Sequence, residues 1–161
     1  MIKAVSKNDL PACAALIRES FQTVADAFGL TRENAPRHTA FATTTERLLH
    51  HFEREQRPMY AYYDGEQPVG YYSLLLLENH ECELNNLCVA PSHRHRGIGE
   101  TLLAHAVQTA ETLDCTKIKI GIVEENAVLK QWYARFGFLH TGTKKFDFFP
   151  FTCGYMEKSL H

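Results

Sequence analysis

The 161-residue sequence lacks the cysteine pattern of a disulfide-linked or zinc-binding domain. It contains five cysteines, an odd number, and no Cys-x-x-Cys pair of the kind that holds structural zinc. His38, His50 and His51 are the other possible metal ligands. Adjacent histidines point to different sides of a helix, and no acidic or cysteine partner stands at ligand spacing. The sequence therefore predicts no bound metal and a reducing compartment, the cytoplasm.

The sequence also lacks a run of apolar residues long enough to cross a membrane. The longest aliphatic run, residues 74–77, is far short of the roughly 20 residues that a spanning helix needs. The first ten residues contain no apolar stretch of the kind found in secretory signals. No association with a membrane is predicted.

An excess of positive charge is likewise missing. Lysine and arginine number 17 against 19 aspartates and glutamates, which gives a net charge of −2. Domains that bind nucleic acid usually carry a clear basic excess, so no nucleic-acid partner is predicted. An anionic ligand must instead be bound by groups that cluster at one place in the chain.

What the sequence does contain is a regular succession of strand and helix patterns over a single domain, residues 1–161. The first predicted helix begins at Asn8 or Asp9, and three more cover about 40–54, 98–113 and 126–136. The predicted strands cover residues 2–5, 59–63, 68–77, 81–89, 117–123, 138–144 and 152–158. Consecutive hairpins and one crossover predict a mixed sheet of the α/β (α+β) class. The strand–helix–strand unit at 81–123 should be a right-handed crossover that joins parallel strands.

A glycine-rich segment, APSHRHRGIG, lies between the strand that ends at Val89 and the helix that begins near Ile98. A helix start presents free backbone N–H groups and the positive end of its dipole, which together favour an anion. Glycines at 97 and 99 allow the backbone to approach a phosphate closely. A nucleotide P-loop is absent, and Leu102 stands where a dinucleotide fingerprint needs its third glycine. Taken alone, the segment also fits a plain turn before a helix.

Residues 87–103, LCVAPSHRHRGIGETLL, resemble the signature of the GNAT superfamily of N-acetyltransferases. That signature is Val-x-Pro followed by Arg/Gln-x-x-Gly-x-Gly/Ala at a helix start. Arg94, Gly97 and Gly99 occupy its three defining positions, and His95 stands where many members carry glycine. The resemblance implies a mostly antiparallel sheet of about seven strands with a splayed central parallel pair, flanked by about four helices.

A second segment extends the resemblance through most of the chain. Asn126, Tyr133 and Gly137-Phe138 have the family's spacing, and YMEKSL at 155–160 is similar to its last strand. In the family, acetyl-CoA lies in the gap between the splayed strands. The implied cosubstrate-binding residues are therefore Leu87, Cys88 and Val89 at the pantetheine and thioester; Arg94, His95, Arg96, Gly97, Ile98, Gly99 and Glu100 at the pyrophosphate; and Asn126 at the pantetheine or its carbonyl end. From charge alone, Lys130 or Arg94 is a candidate for the 3′-phosphate.

The resemblance also implies two catalytic groups. Tyr133 is the candidate acid for the departing thiolate, although its place on the apolar face of a helix also fits simple packing. Glu83 is the candidate base for the attacking amine, and a water chain is the alternative because some members lack a side-chain base. Tyr155 is a second candidate acid. Asn85 and Asn86 stand where many relatives have acidic residues.

The acceptor side of the predicted site is less determined. The aromatic segment FDFFPF at 146–151 and the loop at 28–38 are predicted to flank the acceptor, or to form the contact of a homodimer. The implied function is transfer of an acetyl group from acetyl-CoA to a primary amine of a small molecule or a protein. The net charge favours a small cationic acceptor. A non-catalytic domain that senses acyl-CoA is the alternative.

Overall fold

One seven-stranded sheet forms the centre of the molecule, with the strand order β1-β2-β3-β4-β5-β7-β6. A computed structural model describes residues 1–160 of the chain. Every neighbouring pair of strands is antiparallel except β4 and β5, which are parallel. The strands are β1 Ile2–Ala4, β2 Met59–Asp64, β3 Gln67–Leu76, β4 Glu81–Val89, β5 Lys117–Val123, β6 Leu139–Lys145 and β7 Thr152–Ser159. The predicted mixed, mostly antiparallel sheet is confirmed.

Within residues 1–160, five helices accompany the sheet, whereas about four were predicted. They are α1 Leu10–Ala27, α2 Thr39–Ala42, α3 Thr45–Glu53, α4 Ile98–Thr112 and α5 Ala127–Arg135. The single helix expected over about 40–54 is wrong, because the chain is extended at Thr43 and Thr44. The hydroxyl of Thr44 accepts a hydrogen bond from the backbone N–H of Arg47 at 3.0 Å and so begins a new helix. No helix within residues 1–160 combines the length and apolar character needed to cross a bilayer.

The two central parallel strands pair over only a short distance. The register joins Glu81 to Lys117, Cys82 to Ile118 and Glu83 to Lys119, and it ends there. Beyond that point β4 continues along β3 as far as Val89, whereas β5 continues along β7 as far as Val123. The carboxyl halves of β4 and β5 therefore part, which opens a gap in the middle of the sheet.

Two hydrophobic clusters stabilise this arrangement. The larger one joins α1, α3 and α4 to the sheet and includes the fully buried Tyr71, Tyr72 and Leu102. The smaller one gathers the end of α1, the following loop, α2, the end of β5 and the loop before β7. Its buried members are Ala25, Leu30, Ala35, Ala40, Val123 and Phe151. The smaller cluster fixes the 28–38 loop beside the gap between β4 and β5.

Helix α4 approaches the sheet most closely at Gly70 of β3. A Cβ atom built on Gly70 would lie 2.6 Å from Cδ1 of Leu102 and 3.2 Å from Cγ2 of Ile98. Both neighbours belong to α4, and both are buried. The absence of a side chain at position 70 therefore sets how close the first turns of α4 come to the sheet.

The Gly70→Ala substitution should lower the free energy of unfolding by about 1–3 kcal/mol, because the added methyl group overpacks the contact with Leu102. Gly142→Ala is the matched control, since a Cβ atom there meets nothing within 4 Å. Urea denaturation of the two variants and the parent protein measures the difference. Equal stability of the two variants would contradict this account of how α4 is positioned.

Candidate active site

The gap between β4 and β5 coincides with an irregularity in β4. Tyr71 pairs with Cys88 and Ser73 pairs with Asn85, so two residues of β4, Asn86 and Leu87, lie opposite Tyr72 alone. The backbone of Asn86 has a φ of 57°. Such a β-bulge disrupts the regular ladder and leaves backbone groups unpaired. Polar backbone groups of β4 are thus available where the neighbouring strand has moved away.

The glycine-rich loop follows directly at the end of β4. After a short 3-10 turn at Pro91–His93, the chain enters α4 through Gly97, whose φ of 79° lies in the left-handed region. A Cβ atom at Gly97 would meet nothing within 4 Å, so the space in front of the helix start is open. The free N–H groups of the first turn of α4 and its dipole make this space suitable for an anion.

The side chain of Arg94 is engaged within the protein. Its Nε donates to the carbonyl oxygen of Val89 at 3.1 Å, and its two terminal nitrogens donate to Oγ1 of Thr23 and the carbonyl of Ser20, each at 3.0 Å. Arg94 therefore ties the loop to β4 and α1. The loop backbone and the exposed side chains of His95, Arg96 and Glu100 face solvent at the helix start.

The residues predicted on α5 are also engaged in local contacts. Asn126 caps the helix, since its Oδ1 accepts from the N–H of Leu129 at 3.2 Å. Lys130 forms an ion pair with Glu124, which also contacts His140 at 2.8 Å. The positive charge of Lys130 is thus largely offset, and its predicted contact with a 3′-phosphate would require that pair to rearrange.

Tyr133 lies on the inner face of α5 and is only 6% exposed. Its ring makes edge contacts with Trp132 at 5.0 Å and with Phe138 at 5.3 Å between centroids. Burial raises the pKa of Tyr133 well above its usual range, and the nearby thiol of Cys88 adds to the rise. Tyr133 is therefore a protonated hydroxyl at neutral pH, close to the irregular end of β4.

Cys88 itself is buried in β4. Burial raises the pKa of its thiol to about 12, so the reactive thiolate is almost absent at neutral pH. A buried neutral thiol is a poor nucleophile. This environment favours packing over a covalent role for Cys88.

Glu83 lies at the last position where β4 pairs with β5, and its side chain is half-buried. Burial raises the pKa of Glu83, an effect that the positive charges of Arg57 and Lys119 partly oppose. Asn85 donates a 2.6 Å hydrogen bond to Glu83 and accepts a 2.9 Å hydrogen bond from Arg57. The sequence did not reveal this chain of contacts, because Arg57 belongs to no recognisable motif.

A cavity of about 310 Å³ opens beside Glu83 on the side of the sheet covered by α2 and α3. Its walls come from α2, α3, the turn before β2, β3 and β4. Within residues 1–160, no group of three or more His, Cys, Asp or Glu side chains is close enough to hold a metal ion. The carboxylate of Glu83 thus lies in the wall of an open cavity.

The aromatic segment at 146–151 lies against the 28–38 loop. Phe149 and Phe151 stack at 4.6 Å, and the ring of His38 meets Phe151 edge-on at 6.0 Å. Phe148 is exposed, and the guanidinium of Arg37 lies 4.2 Å from its ring centroid. The two segments together form one rim near the cavity.

Comparison with known proteins gives the family. A model of the acetyltransferase (GNAT) family matches residues 19–138, well over half of the chain. The chain belongs to the GNAT family. The matched residues include the loop at 94–100 and both strands that border the gap, β4 and β5.

Individual GNAT relatives agree with this assignment. An uncharacterized N-acetyltransferase from Bacillus methanolicus is 33% identical over 49 residues, which is 30% of this chain and 41% of that protein. The chain spans only about half the length of the curated relatives that it matches. Among solved structures, the PaiA N-acetyltransferase from Thermoplasma acidophilum in complex with coenzyme A superposes with a TM-score of 0.83 at 21% identity, covering 99% of this chain and 98% of that one.

A second GNAT structure covers nearly the whole chain as well. The ribosomal-protein-alanine N-acetyltransferase from Brucella melitensis is 25% identical and superposes with a TM-score of 0.76, covering 99% of each chain. The predicted fold is therefore confirmed over nearly the whole chain.

The departure at His95 from the glycine common in GNAT proteins has a structural consequence. The backbone of His95 has a φ of 63°, in the left-handed region that favours glycine. A non-glycine residue in this conformation costs of order 1 kcal/mol. The histidine is therefore strained in a loop whose backbone shape the anion site depends on.

The His95→Gly substitution should raise the free energy of unfolding by about 0.5–1 kcal/mol, because it removes the cost of the left-handed conformation. The control is Arg96→Gly, because Arg96 is exposed and has no positive φ. There, glycine only increases the freedom of the unfolded chain and should lower stability. Thermal or chemical denaturation compares the two, and equal destabilisation by both would contradict the strain at position 95.

Proposed function

We propose that this GNAT protein transfers the acetyl group of acetyl-CoA to a primary amine by direct attack within a ternary complex. The observation that carries the proposal is the parting of β4 and β5 beside an anion-binding helix start. Acetyl-CoA is a long thioester with a pyrophosphate near its middle, so it fits a slot with an anion site at one end. The solved T. acidophilum relative contains coenzyme A, which supports the same ligand here.

The proposed contacts follow the geometry of the slot. The pyrophosphate binds the backbone N–H groups of residues 97–100, in the open space before α4. The pantetheine arm lies along Leu87, Cys88 and Val89, on the edge of β4 that no longer pairs with β5. Backbone N–H groups freed by the bulge at Asn86 and Leu87 polarise the thioester carbonyl. Asn126 retains its amide N–H₂ group for the ligand, since its oxygen caps α5.

The proposed reaction balances with three proton transfers. The acceptor arrives as an ammonium ion, with a pKa of about 10.4 for an alkyl amine, and must lose a proton before attack. Glu83 accepts that proton directly or through water, and the amine nitrogen forms a bond to the acetyl carbonyl carbon. The carbon–sulfur bond then breaks, the nitrogen loses its second proton to solvent water, and the CoA thiolate takes a proton from Tyr133. Solvent returns the proton to Tyr133 and removes the one on Glu83.

The environments of the two groups support their roles. Burial moves the pKa of Glu83 closer to neutral pH, which makes its carboxylate a stronger base than that of an ordinary glutamate. The Tyr133 hydroxyl lies near Cys88, where the thioester would be, and this position supports the acid role, whereas the raised pKa makes the hydroxyl a weaker acid. The neutral thiol of Cys88 supports direct transfer rather than an acyl-cysteine intermediate. Burial also raises the pKa of Tyr155, the second candidate acid, and Cys153 and Glu83 add to the rise.

The proposed acceptor is a small-molecule amine or a protein amino group. The name of the B. melitensis relative specifies the alanine of a ribosomal protein, which keeps protein acceptors in the proposal. The five free cysteines support a reducing compartment, and we place the protein in the cytoplasm. A homodimer through the exposed Phe148 region stays part of the proposal.

The direct test is an assay for free thiol release from acetyl-CoA with a panel of neutral, cationic and anionic amines. The proposal expects release with at least one amine, together with an N-acetyl product that is about 42 Da heavier than the free amine. Tight binding of acetyl-CoA without release from any amine would favour the non-catalytic domain instead.

Tyr133→Phe should lower kcat by roughly 100-fold, the range of a lost general acid, while the Kd for acetyl-CoA stays close to that of the parent. The thiol assay gives kcat, and calorimetric titration gives the Kd. Tyr62→Phe is the matched control because Tyr62 lies on β2, two strands away from β4. A folded Tyr133→Phe variant with the turnover of the parent would remove Tyr133 from the acid role.

The pH profile tests Glu83. Its base form is lost as pH falls through a pKa raised above the usual glutamate value, so kcat/KM of the parent should fall on that acidic limb. In Glu83→Gln the acceptor must shed its proton unaided, so the limb should move up toward the pKa of the amine itself. Glu81→Gln is the control on the same face of β4, where hydrogen bonding to Lys119 lowers the pKa. An identical profile for parent and Glu83→Gln would favour a water chain as the base.

A further inference from the structure

The cavity beside Glu83 is lined by more positive than negative groups. Three arginines contribute to its wall, Arg37 from the loop before α2, Arg47 from α3 and Arg57 from the turn before β2. Glu83 is the one acidic residue among the lining side chains of the described chain. This local balance is opposite to the net charge of −2 of the whole chain.

Arg57 is held rigidly within the wall. Its side chain is only 10% exposed, and its terminal nitrogens bind Asn85 and both carboxylate oxygens of Glu55. Its Nε hydrogen has no acceptor among residues 1–160. That nitrogen is enclosed by the protein, so Arg57 contributes a fixed positive charge to the cavity wall.

His51 adds a second unsatisfied group to the same wall. Its side chain is 9% exposed, and its Nδ1 has no hydrogen-bond partner in the described part of the chain. Burial lowers the pKa of His51 to about 4, with the charge of Arg57 as the next cause. His51 is therefore neutral at physiological pH and adds no positive charge to the wall.

Arg37 and Arg47 present their charge toward solvent at the mouth of the cavity. Both are exposed, and within residues 1–160 neither forms an ion pair with a carboxylate. The guanidinium of Arg37 stacks over the ring of Phe148 at 4.2 Å, which limits its movement. The planar fork of an arginine matches the two oxygens of a carboxylate or phosphonate better than any other side chain does.

We propose that the acceptor of the reaction is a small amine that also carries an acidic oxygen group, as an amino acid or an aminophosphonate does. The inference rests on the proposed N-acetyl transfer and names the substrate class for the same site. The amine lies against Glu83, and the acidic group binds the arginine wall. A cavity of about 310 Å³ suits a small molecule of this kind.

The first experiment uses matched pairs of amines that differ only in the acidic group. Each pair is an α-, β- or γ-amino acid and its carboxamide, and an aminoalkylphosphonate series replaces the carboxylate by a phosphonate. Thiol release from acetyl-CoA gives kcat/KM for each compound. The expected result is a higher kcat/KM for the acid than for its amide in at least one pair. That preference runs against intrinsic reactivity, because the amine of the amide is less basic and is more often neutral.

The outcomes separate the two proposals. If kcat/KM for the amides and neutral amines equals or exceeds that for the acids in every pair, the proposal of an acidic acceptor is overturned and that of N-acetyl transfer stands. No thiol release from any amine would overturn both. Preference for phosphonates over carboxylates would identify which acidic group the arginine wall binds, and either preference supports the proposal.

Variants at the cavity mouth provide the second experiment. Arg47→Gln and Arg37→Gln should each lower the acid-to-amide ratio of kcat/KM by about tenfold, the size expected for a lost charged hydrogen bond. Both positions are exposed, so neither change removes a core contact. Arg54→Gln, at the end of α3 and outside the cavity wall, is the control and should keep the parent ratio. An unchanged ratio in both test variants would overturn the assignment of the arginines to the acceptor.

Discussion

The early end of pairing between β4 and β5 is the constraint on which the site depends. Only three residue pairs, ending at Glu83 and Lys119, hold the two strands together, and each strand then follows a different neighbour. The loss of ladder hydrogen bonds in the middle of a sheet leaves buried polar backbone, which is costly unless a ligand pairs with it. Asn86, at the bulge in β4 beside this gap, also lines the cavity next to Glu83.

Two kinds of contact keep this opening in shape. Arg94 joins the glycine-rich loop to β4 and α1, and Gly70 lets α4 lie close to β3. The loop backbone is therefore positioned from both sides before any ligand arrives. Preorganised N–H groups of this kind bind an anion without a further cost of ordering. This loop conformation strains the backbone at His95, which has a positive φ.

Local patterns in the sequence predicted the strands, the anion loop and the family, because period, glycine placement and motif spacing are local properties. The break at Thr44 was missed because a threonine cap competes with an otherwise continuous helical pattern. The inward orientation of Arg94 and the contact of Arg57 with Asn85 join residues far apart in the chain. Such contacts depend on tertiary packing, so the net charge gave no indication of the arginine-lined cavity.

Hydrogen exchange with and without acetyl-CoA tests most directly whether the gap between β4 and β5 is the cosubstrate slot. If the gap is the slot, acetyl-CoA should slow exchange of the backbone amides at 86–89 and at 97–100, because these are the N–H groups that the ligand would engage. Slower exchange in both segments at saturating acetyl-CoA would support the slot. Unchanged exchange in both segments while acetyl-CoA is bound would contradict it.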